Sequence, residues 1–183
     1  GREEILIDRP LQMVSYVSIV GEEEGRDNTI INGSESGSVL IFNDVQGVSI
    51  ENLTITNGSA VYGGGAFIQG VHPTQPTSVL FNNVIFDSNH GTNKGGGIFA
   101  LHADLIISNS KLESNYLQGE FGFGGGLYLN NSTATIQESI FDENSAEGAE
   151  GEASMGGGIC SYNSSLNISD TDFLRNRAEG FYS

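Results

Sequence analysis

The sequence predicts an all-β fold, a right-handed single-stranded parallel β-helix of about six rungs with three short strands each. Three observations predict it. Gly-Gly-Gly occurs four times, at Gly63–Gly65, Gly95–Gly97, Gly124–Gly126 and Gly156–Gly158, each followed closely by Phe67, Ile98, Leu127 or Ile159. A second mark, an aromatic or leucine three residues before an asparagine, ends at Asn89, Asn115, Asn144 and Asn176. A third is a polar pair between two short apolar runs: Glu51-Asn52, Asn82-Asn83, Ser108-Asn109, Gln137-Glu138 and Ser169-Asp170. A pattern recurring at 26 to 32 residues is the signature of stacked repeats, none of which buries its apolar face alone.

The distances between marks sort wall from loop. From the polar pair to the next asparagine is six residues in four rungs, and five from Asn52 to Asn57. From the middle glycine to the next polar pair is thirteen residues three times (Gly96, Gly125 and Gly157). The fourth case, from Gly64, carries six extra residues, His72–Thr77, read as a proline-bearing loop. From asparagine to middle glycine the distance varies: 7, 7, 10 and 13. Fixed arcs belong in the wall and the free arc outside it.

Within the fixed arcs the apolar runs are three to five residues long and rich in Ile, Val, Leu and Phe, which reads as strand. Inward positions are predicted at Leu80, Val84, Phe86, Ile106, Leu112, Ile136, Phe141, Ile168 and Phe173. In the N-terminal third, Ile5–Ile7, Val17–Val20 and Thr29–Ile31 read as one rung, and Ser38–Phe42, Val48–Ile50 and Leu53–Ile55 as the next. Corners between parallel strands drive a residue to φ > 0, which Asn and Gly tolerate best. Stacked asparagines also hydrogen-bond from turn to turn, so Asn57, Asn89, Asn115, Asn144 and Asn176 are read as corner residues forming a ladder.

Gly64-Gly65-Ala66-Phe67 and the later Gly-Gly-Ile/Leu marks, alternating with Phe-x-x-Asn, resemble the GGA(I/L/V) and FxxN repeats of chlamydial polymorphic outer-membrane protein passengers. More broadly the chain is similar to pectin-lyase-like parallel β-helices. That resemblance implies the fold and leaves activity open, because lyases, esterases, adhesins and inert stalks share it. Signatures of its enzymes are missing. There is no Asn-Thr-Asp, paired-Asp, Gly-His-Gly and Arg-Ile-Lys set, no tryptophan for a pectate-lyase motif, and no pectinesterase mark. Asp170 and Asp172 could share a strand face, but Asp170 falls at a corner. His72, His90 and His102 lie in different arcs, and Cys160, next to Ile159, is read as a buried, inert thiol.

Composition narrows the rest. The chain has 183 residues, 7 Lys and Arg against 23 Asp and Glu, and a net charge of −16, so no basic patch is available to neutralise nucleic-acid phosphates. No apolar run approaches the ~18 residues of a membrane span. One cysteine excludes an internal disulfide and a cysteine-based zinc site. No metal or other cofactor is expected; calcium is the one ion to which the acidic loop with Glu147, Glu150 and Glu152 could contribute oxygens. Two variable loops place aromatics beside carboxylates. Tyr116, Glu120, Phe121, Phe123, Glu147, Glu150 and Glu152 are therefore the candidate ligand or partner surface. Seven Asn-x-Ser/Thr acceptors (Asn32, Asn52, Asn57, Asn130, Asn131, Asn163 and Asn167) stand against about three by composition, which fits a glycosylated secretory surface or corners that happen to neighbour Ser and Thr.

One domain is expected over 1–183, with no cap at either end: apolar residues begin at Ile5, and the chain stops at Ser183, seven residues past Asn176. The expected protein is a non-catalytic extracellular or cell-surface structural or adhesive solenoid. Its partner is itself, head to tail in a filament or surface layer, or flanking repeats of a longer chain, and glycans are further candidates. The alternative is a polysaccharide-binding or polysaccharide-degrading module.

Overall fold

The computed structural model describes residues 2–22, 25–150 and 152–180; Gly1 and Phe181–Ser183, part of the end assignments above, lie outside them. β1 (Glu3–Leu6) precedes the first rung, which contains β2 (Leu11–Gln12), β3 (Ser18–Val20) and β4 (Thr29–Asn32). The second has β5 (Leu40–Asn43), β6 (Val48–Thr56) and β7 (Ser59–Tyr62). The third has β8 (Ala66–Gln69), β9 (Thr77–Asp87) and β10 (His90–Lys94). The fourth has β11 (Ile98–Leu101), β12 (Ala103–Ser108), β13 (Lys111–Glu113), β14 (Tyr116–Gly119) and β15 (Gly122–Phe123). The fifth has β16 (Leu127–Asn130), β17 (Thr133–Gln137), β18 (Ile140–Asp142), β19 (Ser145–Gly148) and β20 (Ser154–Met155). The sixth has β21 (Ile159–Tyr162), β22 (Ser165–Ser169), β23 (Asp172–Leu174) and β24 (Arg177–Glu179).

Equivalent strands pair in parallel and in register from turn to turn, building walls of eleven, seven and six strands. The eleven-stranded wall bends at a corner whose residue sits at positive φ: Asn52, Asn83, Asn109, Glu138 and Asp170, between 46° and 57°. Each full turn thus crosses three walls, the eleven-stranded one in two straight segments. The arc of free length is not simply loop: it opens with a strand of the seven-stranded wall (β7, β10, β14, β19, β24). Its small and polar residues, such as Ser145-Ala146-Glu147-Gly148, gave no apolar pattern to read. β1 is likewise not a rung-mate of β3 and β4. Ile5 pairs Ile31, which in turn pairs Ile55, so β1 sits one turn below β4.

The core is a single apolar column. Val84, Phe86, Leu112, Ile136 and Phe141 are fully buried in it, as the alternation predicts. Leu80 and Ile106 are not: Val79, Phe81, Leu105 and Ile107 take the inward positions, and Ile106 is 46% exposed. With consecutive apolar residues in so short a strand, the corner at Asn83 or Asn109 sets the phase and hydropathy cannot. Ile168 and Phe173 occupy the inward register of Ile136 and Phe141, yet are exposed, since no described turn lies beyond them.

The asparagine ladder is present but differs from the expectation. Asn89, Asn115 and Asn144 are fully buried, and the positive φ falls on the residue before each: Ser88, Ser114 and Glu143, as Arg175 precedes Asn176. Each asparagine points inward. The Asn115 Nδ2 donates to the Phe86 carbonyl at 2.9 Å and to Asn144 Oδ1 at 2.9 Å. Its Oδ1 accepts from the backbone N–H of Asn89 at 3.2 Å and from Asn89 Nδ2 at 3.0 Å. These bonds satisfy amides and carbonyls that the corner turns away from the walls. Asn57 is not a rung of the ladder. It is exposed, at φ 53°, and Gly58 takes the ladder position, donating its N–H to Asn89 Oδ1. Counted to Gly58, the distance from Asn52 is six, as elsewhere.

The glycine triplets turn the chain from the seven-stranded to the six-stranded wall. Gly124 lies at φ +73°, and a Cβ on Gly125 would stand 2.3 Å from the Ser145 carbonyl oxygen. Neither leaves room for a side chain. Among the described residues no helix is long and apolar enough to cross a membrane.

Candidate binding surface

The glycine corner brings two outward columns side by side. On the six-stranded wall, Ile41, Phe67, Phe99, Tyr128 and Cys160 follow one another in register. Across the corner, the residue before each triplet forms the second column: Tyr62, Lys94, Phe123 and Met155. The rings of the first column are nearly parallel. Phe67 and Phe99 lie 5.4 Å apart at 9°, and Phe99 and Tyr128 5.7 Å apart at 5°. The second column leans over it. Tyr62 lies 5.0 Å from the ring of Phe99, and Lys94 Nζ 5.0 Å from the ring centre of Tyr128. Offset stacking and cation–π attraction make this a firm outer seam.

In the sixth turn the seam changes. Cys160 stands where a ring would continue the column, and a groove of about 380 Å³ opens there. Lys94, Phe123, Tyr128, Asn130, Met155, Cys160, Ser161 and Tyr162 line it, with no carboxylate among them. Lys94 makes no ion pair among the described residues, whereas Lys111, Arg175 and Arg177 are each bridged to an acid. Cys160 is not the buried thiol expected: it is half-buried and faces outward into the groove, because the adjacent Ile159 takes the position that packs on the core. Burial pushes its thiol up, while Lys94 pulls it down.

The expected ligand surface is gathered only in part. Tyr116 OH donates to Glu147 Oε2 at 2.8 Å, and burial together with that carboxylate pushes the phenol up to about 12. Tyr116 also stacks on His90, 5.4 Å away, whose Nδ1 lies 3.4 Å from Ser59 Oγ and whose Nε2 is buried with no partner among the described residues. Arg177 reaches Glu147 at 3.7 Å. Phe121 and Phe123 stack at 5.9 Å, but only Phe123 reaches the groove. Glu120 and Glu150 are exposed and Glu152 is half-exposed, each away from it. Among the described residues no three His, Cys, Asp or Glu side chains converge on a metal-sized point.

The sequons fall into two kinds. Asn57 and Asn167 are exposed with no side-chain hydrogen bond among the described residues. Asn32 donates to Glu4, Asn52 accepts from Asn83, Asn131 donates to Asn130, and Asn163 donates to Asn131. Corner geometry therefore accounts for Asn52, Asn131 and Asn163, all at positive φ.

With the stacked turns and their corners established, comparison with known proteins adds one finding. The family described as right-handed beta helix region matches residues 16–183. The chain belongs to that family. No curated protein matches it, and no solved structure does. The right-handed β-helix is thus shown for nearly the whole chain. A sequence signal for it existed: Phe67, Phe99, Tyr128 and Cys160 each lie three residues past the middle glycine, and Tyr62, Lys94, Phe123 and Met155 two before it.

Proposed function

We propose that this β-helix is a non-catalytic, extracellular adhesive solenoid, of the kind carried by the GGA(I/L/V)- and FxxN-repeat passengers and within the wider pectin-lyase-like group. The two halves of that motif have separate tasks here, close packing at the glycine corner and the buried asparagine ladder, which supports the kinship. The observation that carries the adhesive function is the acid-free groove around Lys94, Tyr128 and Tyr162 on a chain of net charge −16. It is concave, mostly apolar and built on rigid strands, as small recognition sites are. Beads coated with the chain are expected to adhere to cell surfaces or extracellular polymers, and a Tyr128→Ala/Tyr162→Ala double variant to lose most of that adhesion. Full adhesion by a folded double variant overturns the assignment.

Assembly is the second part of the proposal. Ile5 at one end, and Ile168 and Phe173 at the other, hold inward register positions and are 40% to 52% exposed. End-to-end stacking of copies, as in a filament or surface layer, would cover both sets, as would flanking repeats of a longer chain. Sedimentation of the isolated chain is expected to show growth with concentration. A strictly monomeric species removes this part.

One observation favours the alternative of a polysaccharide-binding or polysaccharide-degrading module. Asp87, Glu113 and Asp142 occupy one outward register position on three consecutive turns. The strand spacing of ~4.8 Å is near the ~5–5.5 Å separation of a retaining glycosidase pair. Burial raises the Asp87 carboxyl, with the Glu113 charge adding to it against the Ser88 hydrogen bond and Lys111. Cleavage of polyuronates or neutral glycans, with or without calcium, that Glu113→Gln abolishes would establish this alternative.

A further inference from the structure

The outer ring column stops one place short. Phe67, Phe99 and Tyr128 fill three consecutive turns with near-parallel rings, and the fourth place holds only the small side chain of Cys160. That place is not bare surface. Phe123 and Met155 wall it on the side of the second column, and Tyr162, two residues along β21 and 64% exposed, flanks it on the other. A planar ring seated there continues the stack on Tyr128, in the offset parallel arrangement the column already uses.

Charge defines the rest of the ligand. Lys94 is half-buried beside Tyr128, has no acidic partner among the described residues, and borders a groove without a carboxylate. The chain has only seven basic residues against 23 acidic ones, so an unpaired ammonium facing an apolar groove is unusual for this molecule. An anion within reach of Lys94 gains a charge-assisted contact in a partly dry site. Asn130 and Ser161 add neutral polar groups to the same lining.

We infer that the groove over Cys160 binds a single-ring aromatic acid, with its ring in the vacant position of the Phe67–Phe99–Tyr128 column and its carboxylate at Lys94. This rests on the groove being the binding surface of the proposed adhesive function, and it names the chemical group recognised there.

Titration calorimetry of the full chain with benzoate and cinnamate, and with their neutral amides, tests it. The acids are expected to bind, and the amides more weakly by about tenfold, the usual order for a lost charge-assisted contact. Lys94→Gln should erase the difference between acid and amide. Cys160→Phe supplies the missing ring and is expected to abolish binding, while Cys160→Ser, which leaves the place open, retains it. Tyrosine fluorescence, free of tryptophan background, and circular dichroism verify that each variant is folded. Equal affinity for acid and amide, or unchanged binding by folded Cys160→Phe, overturns the inference. No binding of any aromatic acid also overturns it. In that event, adhesion lost in the Tyr128→Ala/Tyr162→Ala variant still upholds the groove as the adhesive surface, so the two failures are separable.

Discussion

Two ladders run along this molecule at one residue per turn, and they obey opposite rules. The buried Asn89, Asn115 and Asn144 and the half-buried Asn176 form the inner one, polar and joined by hydrogen bonds that all point from one turn to the next. Phe67, Phe99 and Tyr128 form the outer one, apolar and joined by stacking. Exchange within the inner ladder is costly, because the amides of Asn115 and Asn144 each serve four bonds and those of Asn89 and Asn176 three, and removing one orphans a buried group. The outer ladder loses only contact area when a residue changes, so it can carry Phe, Tyr or Cys at the same position. Structure is specified inside, and the freedom to acquire a binding surface lies outside.

The contrast can be broken most directly at Asn115. Asn115→Leu removes four hydrogen bonds and leaves the Asn89 amide and the Phe86 carbonyl buried alone. About 4 kcal/mol of stability should be lost, readable as a lowered urea midpoint. Phe99→Leu, the equivalent change in the outer ladder, should cost about 1 kcal/mol because stacking with two neighbours is lost while burial is largely kept. If the two variants prove equally costly, the distinction between the ladders fails.

Asp87→Asn sharpens it further out on the wall. The folded state holds that carboxyl above its ordinary value of 3.8, chiefly through burial. The folded form therefore binds its proton more tightly than the unfolded form. The penalty is fully present above the raised folded value and vanishes below 3.8. The variant should melt slightly higher at neutral pH, and its advantage should disappear as the pH falls through that window. The smallest effect belongs to Asn57→Gly, within about 0.5 kcal/mol, because Asn57 is an exposed corner residue and not a rung. A loss comparable to that of Asn115→Leu would put Asn57 back in the ladder.

Fixed spacing made the repeat, the corners and the core column legible, since a wall of stacked turns permits no insertion. The asparagine that broke the spacing, Asn57, was also the one misplaced by residue type, and the count of five to it rather than six marked the difference. Ile106 and Leu80 were unreadable for a different reason. Each has apolar neighbours, and the inward phase is set by backbone φ at the next corner. Tyr116 and Glu147 were both among the candidates because each lies in a variable arc, and the stacking of those arcs in consecutive turns brings them together. The groove was missed because Lys94 and Met155 share nothing with Tyr62 and Phe123 except distance from a glycine, and Cys160 matters there for its smallness.

Because the strands lie across the helix axis, the hydrogen bonds of the walls run along it. A load spread over a whole cross-section must break every bond between two turns at once, the ladder's among them. A pull on one strand end meets the same bonds one after another and opens the interface like a zipper. The rod is strong against distributed tension and weak against peeling. The breadth over which force enters a turn, more than the number of turns, fixes the load it carries.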